Sequence, residues 1–304
     1  MAARVRNAGR RGCMMQKKNG AGHLAALFTI VVWGTTFIST KVLLRDFQPV
    51  EILFFRFLVG FAALWAVYPR MLKLRELRQE FVFMAAGFLG VCLYYLLENI
   101  ALTYTLASNV SVILSVAPLF TAVLARLLLK GEEKLSAKFF LGFLLALVGI
   151  CMISFHGSEL ALNPAGDILA VLAAAVWAGY SLLTKKIGSF GYPVIAATRR
   201  TFFYGLLFMI PALFVFGFQP DISDLAKPAN LFNFLYLGLG ASALCFVTWN
   251  FAVKQIGAIR TSIYIYMVPV ITVVSSALIL KEPVTALAAA GTVLTLGGSV
   301  LSER

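Results

Sequence analysis

The chain has 304 residues, of which 61% are hydrophobic and only 13% are charged. Soluble domains carry about 25% charged residues, so this chain has too few polar side chains to cover a water-soluble surface. The composition therefore excludes a soluble globular protein and predicts an integral membrane protein.

Ten continuous apolar runs are each long enough to cross a bilayer as a helix, which takes roughly 20 residues for about 30 Å of hydrocarbon. They are rich in Leu, Ala and Phe and lack the period-2 pattern of membrane β-strands. In chain order they cover residues 22–44, 50–69, 80–103, 107–129, 136–155, 164–185, 192–217, 230–253, 259–280 and 285–302. We therefore expect ten transmembrane helices with short connections and no soluble catalytic domain.

The basic residues are distributed unevenly around these runs. With the N-terminus inside, 19 of the 26 Lys and Arg residues fall on the cytoplasmic side, four on the opposite side and three within spans. The positive-inside rule then places both termini in the cytoplasm and the protein in the cytoplasmic membrane. The net charge of +13 is thus an orientation signal, and nucleic acid is not expected as a partner.

The sequence contains an internal duplication. Near the start of the second half, residues of the first half recur 144 positions later. Further along, the spacing increases to 151 positions, which places an insertion near residues 218–230. The recurring pairs are Trp33 and Trp177, Lys41 and Lys185, Arg56 and Arg200, Asn99 and Asn250, Ser111 and Ser262, Pro118 and Pro269, and Lys130 and Lys281.

Each half holds five predicted spans, an odd number, so the second copy must enter the membrane in the opposite orientation. Inverted repeats are a common build of secondary transporters, whose substrate site lies at the repeat interface. The expected fold class is all-α integral membrane, with ten transmembrane helices as two inverted five-helix repeats around a central cavity. The repeats are residues 22–155 and 164–302, and residues 1–21 form a basic cytoplasmic tail.

Charged side chains inside a bilayer are costly and are the first candidates for function. Among the carboxylates only Glu98 is expected well inside a span, and it lies with Arg56 about 8 to 9 Å below the same face at roughly 1.5 Å per residue. The two can form a permanent ion pair, or Glu98 can gain and lose a proton during transport. Arg200 has no such carboxylate in its own half, which leaves snorkelling to the headgroups or binding of an anionic substrate.

Aromatic and amide side chains predicted deep in the membrane are the next candidates. Aromatic walls with a polar edge suit a site for amphipathic metabolites, although packing is the alternative for each ring. The amides of Asn99 and Asn250 need hydrogen-bond partners, which a neighbouring helix or a substrate can supply. The aromatic candidates are Trp33, Trp177, Tyr94 and Tyr180.

Pro118 and Pro269 lie in the interior of the fourth and ninth predicted spans. A proline there removes a backbone donor and kinks the helix, and the freed carbonyls can line a polar cavity. A shared hinge and a kink that only fits the packing both stay open.

These residues resemble the EamA-like branch of the drug/metabolite transporter superfamily over residues 22–302. In the first half the resemblance rests on Trp33, Gly34, Thr35, Thr36, Phe37, Lys41, Pro49, Arg56, Asn99, Ala101, Pro118, Leu119 and the Lys130, Gly131, Glu132 turn. In the second half it rests on a weaker version, Trp177, Ala178, Gly179, Lys185, Arg200, Asn250, Ala252, Pro269, Lys281, Glu282 and Pro283. The resemblance implies a ten-helix basket with alternating access, usually moving small metabolites outward.

The chain lacks a phosphate-binding Gly-rich loop and a His, Glu, His helix pair, so neither ATP-driven pumping nor metal-dependent hydrolysis is supported. No metal or other cofactor is expected. We predict a secondary carrier rather than an enzyme, which exports amino acids or related small metabolites, with proton coupling as a hypothesis. An intramembrane enzyme acting on a lipid or small metabolite and a drug efflux carrier stay open. The expected partners are a small-molecule substrate and the lipid bilayer, and a homodimer is left open.

Overall fold

The computed structural model describes residues 2–104, 107–128, 136–154, 163–279 and 286–303. Within these ranges the chain is helical and contains no β-strand. The recurring residues Lys130 and Lys281 lie outside the described residues, as do the neighbouring turn residues Gly131, Glu132, Glu282 and Pro283.

The described residues form fifteen α-helices, with irregular helical turns at three places. They are α1 (Ala2–Leu43), α2 (Pro49–Val67), α3 (Leu77–Gly87), α4 (Tyr94–Tyr104), α5 (Ala107–Leu114), α6 (Ala117–Leu128), α7 (Ala137–Ser154), α8 (Pro164–Ser189), α9 (Val194–Val215), α10 (Ile222–Leu225), α11 (Pro228–Leu235), α12 (Cys245–Ile256), α13 (Ala258–Ile263), α14 (Met267–Ile279) and α15 (Ala286–Glu303). The irregular turns are two π-helical segments, Phe88–Leu93 and Tyr236–Leu244, and a 3-10 turn, Tyr264–Tyr266.

Five of the described helices are long and apolar enough to cross a membrane. They are Gly20–Leu43, Pro49–Val67, Leu77–Tyr104, Pro164–Ser189 and Pro228–Ile256. Each coincides within a few residues with one of the predicted apolar runs. Four of the other runs contain shorter apolar helices, and the run at 192–217 contains α9, Val194–Val215. The chain is therefore a helical, multi-pass membrane protein.

The spans that contain Pro118 and Pro269 are both interrupted just before the proline. The fourth predicted span divides into α5 and α6 at Ser115 and Val116, so that Pro118 is the second residue of α6. The ninth divides at the 3-10 turn, so that Pro269 is the third residue of α14. A first-turn position suits proline, because its missing N–H has no helical partner there.

The two π-helical segments also occupy equivalent positions in the two halves. Phe88–Leu93 precedes α4, and Tyr236–Leu244 precedes α12. The glycine at the start of each lets another backbone approach closely: Gly87 lies against the Thr201 carbonyl of α9, and Gly238 lies against the Arg56 carbonyl of α2. A side chain at either position would push these helices apart.

The helices pack reciprocally across the halves. In the first half α1 packs on α12 and α14, and in the second its counterpart α8 packs on α4 and α6. The last helices of the halves, α7 and α15, pack on each other: Gly142 lies against Ser302 and Gly149 against Gly291. Because the residue numbers run in opposite directions along this contact, the two equivalent helices are antiparallel.

Polar side chains join the halves at one end, between the turn after α1 and the α10–α11 segment. Lys227 contacts Asp46 at 3.3 Å and Asp224 at 2.8 Å, and the amide of Asn230 donates to the second Asp46 oxygen at 2.7 Å. The Asn230 hydrogen bond, aided by the Lys227 charge, holds the pKa of Asp46 below its usual value of 3.8. We call these four residues the interhalf clasp.

Candidate functional site

A partly open cavity lies between the two halves. It is lined by Trp33, Thr36, Phe37, Tyr94, Tyr95, Glu98, Ser111, Leu114, Ala117, Trp177, Ile265 and Val268. Three pairs among these residues are counterparts in the duplication: Trp33 with Trp177, Leu114 with Ile265, and Ala117 with Val268. The cavity therefore straddles the interface between the copies, and we call it the central cavity.

The interrupted helices form part of its wall. Leu114 and Ala117 flank the break between α5 and α6, while Ile265 and Val268 lie at the break between α13 and α14. Irregular backbone at membrane depth is tolerated where it lines a cavity or is buried in protein. The breaks beside the two prolines thus lie at the site rather than at the lipid-facing periphery.

The permanent ion pair, one of the two alternatives for Arg56 and Glu98, is not formed in this structure. Among the described residues these two form no salt bridge; Arg56 donates from Nε to Ser242 Oγ at 3.0 Å, and its guanidinium lies over the ring of Tyr95, 4.5 Å from the centroid. The reason is local, because Tyr95 precedes Glu98 by one helical turn and occupies the surface of α4 that faces Arg56. Glu98 is 6% exposed and its Oε2 has no hydrogen-bond partner.

Aromatic rings cover the wall beside Glu98. Trp33 and Trp177 pack edge to face with centroids 5.2 Å apart, and Tyr94 lies 4.7 Å from Trp177. Trp33 donates from Nε1 to the carbonyl of Ala241 at 3.0 Å, whereas Nε1 of the buried Trp177 has no partner. The predicted candidates Trp33, Trp177, Tyr94 and Glu98 therefore meet at one cavity.

Large aromatic rings of the second half close the far side of the cavity. They occupy the positions that are equivalent, in the duplication, to cavity-lining residues of the first half. Trp249 is the counterpart of Glu98, Tyr180 of Thr36, and Phe246 of Tyr95. All three rings are fully buried, and Trp249 packs 5.0 Å from Trp33 and 5.8 Å from Trp177. We call Trp177, Tyr180, Phe246 and Trp249 the aromatic layer.

A second, smaller cavity lies beyond this layer, near the ends of α8 and α12 and the start of α9. Asn250 lines it, accepts from the Tyr180 hydroxyl at 2.8 Å and donates to Thr198 Oγ1 at 2.9 Å. Asn99 has a different environment from its counterpart, since its amide donates to the carbonyl of Pro49 at 3.2 Å and its Oδ1 has no partner. Neither amide lines the central cavity.

Arg200 is held by a carboxylate from the other half, which corrects the expectation of an unpaired arginine. It forms a salt bridge with Glu80 in the first turn of α3, with a 2.9 Å hydrogen bond from Nε to Oε1, and Tyr204 donates to the same carboxylate. Its neighbour Arg199 donates to the carbonyls of Tyr68 and Arg70, just beyond the end of α2. A cation there complements the partial negative charge of a helix C-terminus.

Another carboxylate in a predicted span, Glu51, is also buried, so Glu98 is not the only one. Glu51 accepts from the backbone N–H of Gln48 at 2.8 Å and from that of Gln219 at 3.1 Å. It therefore caps the start of α2 and ties it to the end of the α9 region. The difference from Glu98 is that both Glu51 oxygens have partners.

Several cavity residues were not among the predicted candidates: Thr36, Phe37, Tyr95, Ser111, Leu114, Ala117, Ile265 and Val268. Most are apolar or small, and apolar residues in a membrane span give no signal that separates a cavity wall from helix packing. Tyr95 was detectable in principle, because it lies one turn from Glu98 on the same helix face.

A helical membrane protein with a cavity between two related halves, lined by interrupted helices, has the architecture of a membrane carrier. The family model for the EamA-like transporter family matches residues 20–155 and again residues 164–303. The chain belongs to the EamA-like transporter family.

Relatives over nearly the full length are named as transporters. An uncharacterized transporter of Archaeoglobus fulgidus is 27% identical, with 93% of this chain and 98% of that protein covered. A probable terminal-alkyne amino-acid exporter of Streptantibioticus cattleyicolor is 29% identical, with 92% of each covered. A solved crystal structure of another protein matches with a TM-score of 0.73 at 18% identity, covering 93% of this chain and 98% of that one, which shows the fold alone.

Proposed function

We propose that this protein is a secondary active transporter of the cytoplasmic membrane, which exports amino acids or related small metabolites by alternating access. The observation that carries the proposal is the central cavity, because matched residues of both halves line it and interrupted helices border it. Secondary transporters bind their substrates at such repeat interfaces. Both termini lie in the cytoplasm in this proposal, from the distribution of Lys and Arg.

The packing supports two inverted five-helix repeats. Reciprocal contacts relate α1 to α8, and the equivalent helices α7 and α15 run antiparallel. The equivalent helices α2 and α9 are also antiparallel, since Phe61 packs on Phe203 while Arg199 reaches the carbonyl of Tyr68. Two copies related in this way enter a membrane from opposite faces.

The aromatic layer supports alternating access. It separates the central cavity from the second cavity, and Tyr180 connects the two through its hydrogen bond to Asn250. A substrate in the central cavity has no route past Trp249 and Tyr180 until these rings move. Movement of this layer, with closure at the opposite end, would change the side from which the site is reached.

The substrate class and direction draw on the relatives. The name of the Streptantibioticus cattleyicolor protein supports amino-acid-related cargo and export. The alternative of an intramembrane enzyme gains nothing from the cavity, whose wall carries a single ionisable carboxylate and no second acid, base or nucleophile of comparable strength among the described residues. The drug-efflux alternative differs from the proposal only in the transported compound, and a screen of candidate substrates distinguishes the two.

The proposal is tested by counterflow. A thermal-shift screen of the purified protein in detergent identifies stabilising metabolites, and the best of these is loaded unlabelled into proteoliposomes. We expect external labelled compound to accumulate transiently, as exchange through one site requires, and protein-free liposomes to show none. Absence of counterflow for every stabilising compound would favour the enzyme alternative.

A further inference from the structure

The central cavity carries one charge on its described wall, and that charge is incompletely paired. Glu98 is the only Asp, Glu, Lys or Arg among the lining residues that the structure describes, and its Oε2 has no hydrogen-bond partner. A buried carboxylate with an unpaired oxygen is costly, so the site favours a ligand that supplies a positive charge and N–H donors.

The nearest buried cation does not fill this need. Arg56 is not a cavity-lining residue; its guanidinium donates to Ser242 and lies over the Tyr95 ring. Tyr95 itself lines the cavity, so its ring lies between the guanidinium and the cavity space. Glu98 therefore faces the cavity without a direct ionic partner, and a ligand carboxylate has no exposed cation to meet.

The rings beside Glu98 suit a cation as well. Trp33, Trp177 and Tyr94 all line the cavity. The ring centroids are 5.2 Å apart between Trp33 and Trp177 and 4.7 Å apart between Trp177 and Tyr94. Aromatic faces carry a negative quadrupole that attracts ammonium groups, most strongly for Trp and where water is excluded. The same rings pack against an apolar or aromatic ligand body.

One donor on the wall is also unpaired. Trp177 is 3% exposed, and its Nε1 has no hydrogen-bond acceptor. An indole N–H can only donate, so it calls for an acceptor oxygen on the ligand. It provides a single neutral hydrogen bond, which is weak compensation for a desolvated carboxylate.

We infer that the central cavity selects monocationic amines: an ammonium group bound by Glu98, an apolar body among the Trp and Tyr rings, and a neutral oxygen acceptor bound by Trp177. Free α-amino acids bind more weakly than their carboxylate-free analogues, because their carboxylate meets no cation on the described wall. This inference rests on the proposed transport function and narrows its cargo to amines related to amino acids.

The test uses a matched set of phenyl compounds with purified protein in lipid nanodiscs, measured by titration calorimetry. Phenethylamine is the cation, phenylalaninol adds a neutral oxygen, phenylalanine is the zwitterion and 3-phenylpropionate is the anion. We expect phenylalaninol to bind most tightly, phenethylamine next, phenylalanine more weakly and 3-phenylpropionate not at all. Equal or tighter binding of phenylalanine than of phenethylamine would overturn the inference.

Variants assign the recognition to individual groups. Glu98→Gln is expected to weaken binding of phenethylamine by about 10- to 100-fold, as loss of a charge-assisted hydrogen bond implies. Glu98→Asp retains the charge and is expected to restore part of the affinity, and the exposed Glu76→Gln is the matched control without effect. Trp177→Phe is expected to remove the advantage of phenylalaninol over phenethylamine. Unchanged amine affinity in folded Glu98→Gln would overturn the assignment.

Counterflow with the same compounds separates the two proposals. Amine binding that depends on Glu98, together with amine counterflow, supports both. Amine binding without counterflow of any compound leaves the amine site in place and overturns the transport function. Counterflow of phenylalanine with no response to Glu98→Gln supports transport and overturns amine selection.

Discussion

Glu98 is the residue at which the two copies differ most in chemistry. Its counterpart Trp249 is a fully buried ring of the aromatic layer, whereas Glu98 lines the central cavity with an unpaired oxygen. The two copies therefore share the backbone that surrounds the central cavity, and a carboxylate in only one of them makes this cavity acidic. A single acidic group in a carrier is also where a coupled proton would bind.

Replacement of Glu98 by Gln tests the coupling hypothesis. In proteoliposomes with an imposed proton gradient and saturating substrate, we expect the gradient to accelerate transport by the unmodified protein and not by Glu98→Gln, because an amide is neither protonated nor deprotonated near neutral pH. Initial rates with and without the gradient give the measurement, and Glu76→Gln, which removes an exposed carboxylate, is expected to keep the response. An identical gradient response in Glu98→Gln would place the coupling elsewhere or exclude it.

Arg200 is predicted to act in stability rather than in substrate binding, because Glu80 and Tyr204 already satisfy it. We expect Arg200→Ala and Glu80→Gln each to lower the free energy of unfolding, with a coupling energy of about 1 kcal/mol, since both side chains are partly exposed, by 28% and 21%. A double-mutant cycle by thermal unfolding measures it. Loss of substrate affinity without loss of stability in Arg200→Ala would instead place the arginine at the substrate.

Sequence reasoning found four of the cavity residues from their type and depth, but not their partners. Trp33, Trp177, Tyr94 and Glu98 each carry a polar group inside a predicted span, which is a detectable signal. The pairing of Arg200 with Glu80 was missed because contacts between the halves depend on helix rotation and tilt. Tyr95 lies one turn before Glu98 on α4, and this displacement gives Arg56 an aromatic ring as its neighbour instead of a carboxylate.

At the level of the helices, each half repeats the same irregularities in the same order: a π-helical segment in the third span and a break before the proline of the fourth. The prolines at 118 and 269 made the breaks predictable, since proline removes a helical hydrogen bond. The π-helical segments were not predictable, because one extra residue in a turn leaves no mark in an apolar run. Both kinds of irregularity lie where the halves meet.

The contact between α7 and α15 gives a matched test of close helix packing. Gly298 lies against the backbone of Ala146, whereas a side chain on the exposed neighbour Gly297 would meet nothing within 4 Å. We expect Gly298→Ala to destabilise the protein by about 1–3 kcal/mol through overpacking. Gly297→Ala is expected to be neutral or to stabilise by up to about 1 kcal/mol, from helix propensity.

Thermal unfolding in one detergent compares the two glycine variants directly. Because the substituted positions are adjacent and gain the same methyl group, a difference between them reports the contact with α7 rather than the chemistry of the change. Equal stability of Gly298→Ala and Gly297→Ala would contradict the close approach of Gly298 to the backbone of α7.

For the whole molecule, the interhalf clasp predicts a component of stability that depends on pH. The pKa of Asp46 is lowered in the folded protein, chiefly by the Asn230 hydrogen bond, so the folded state binds this proton less readily than the unfolded state. The stabilisation is therefore present above the unfolded pKa of about 3.9 and is lost as the pH falls below that value and through the lower folded pKa.

Asp46→Asn is expected to lower stability at neutral pH and to lose less of it on acidification than the unmodified protein. Thermal unfolding across this pH range measures the difference. Glu76→Gln, which removes an exposed carboxylate outside the clasp, is the control and is expected to keep the pH dependence of the unmodified protein. Parallel pH curves for Asp46→Asn and the unmodified protein would show that the clasp contributes nothing.

Alternating access predicts that the two cavities are exposed in opposition. Thr36 lines the central cavity and Thr184 lines the second cavity, on opposite sides of the aromatic layer, and each can be changed to Cys in a cysteine-free background with little change in side-chain size. In oriented vesicles a membrane-impermeant maleimide should reach Thr36→Cys from one face only and Thr184→Cys from the other. A transported substrate should slow labelling at one position and speed it at the other, because opening one side requires the aromatic layer to move and the opposite side to close. Labelling rates that do not change with substrate at either position would indicate a static cavity rather than a carrier. Labelling of either cysteine from both faces would indicate a continuous pore.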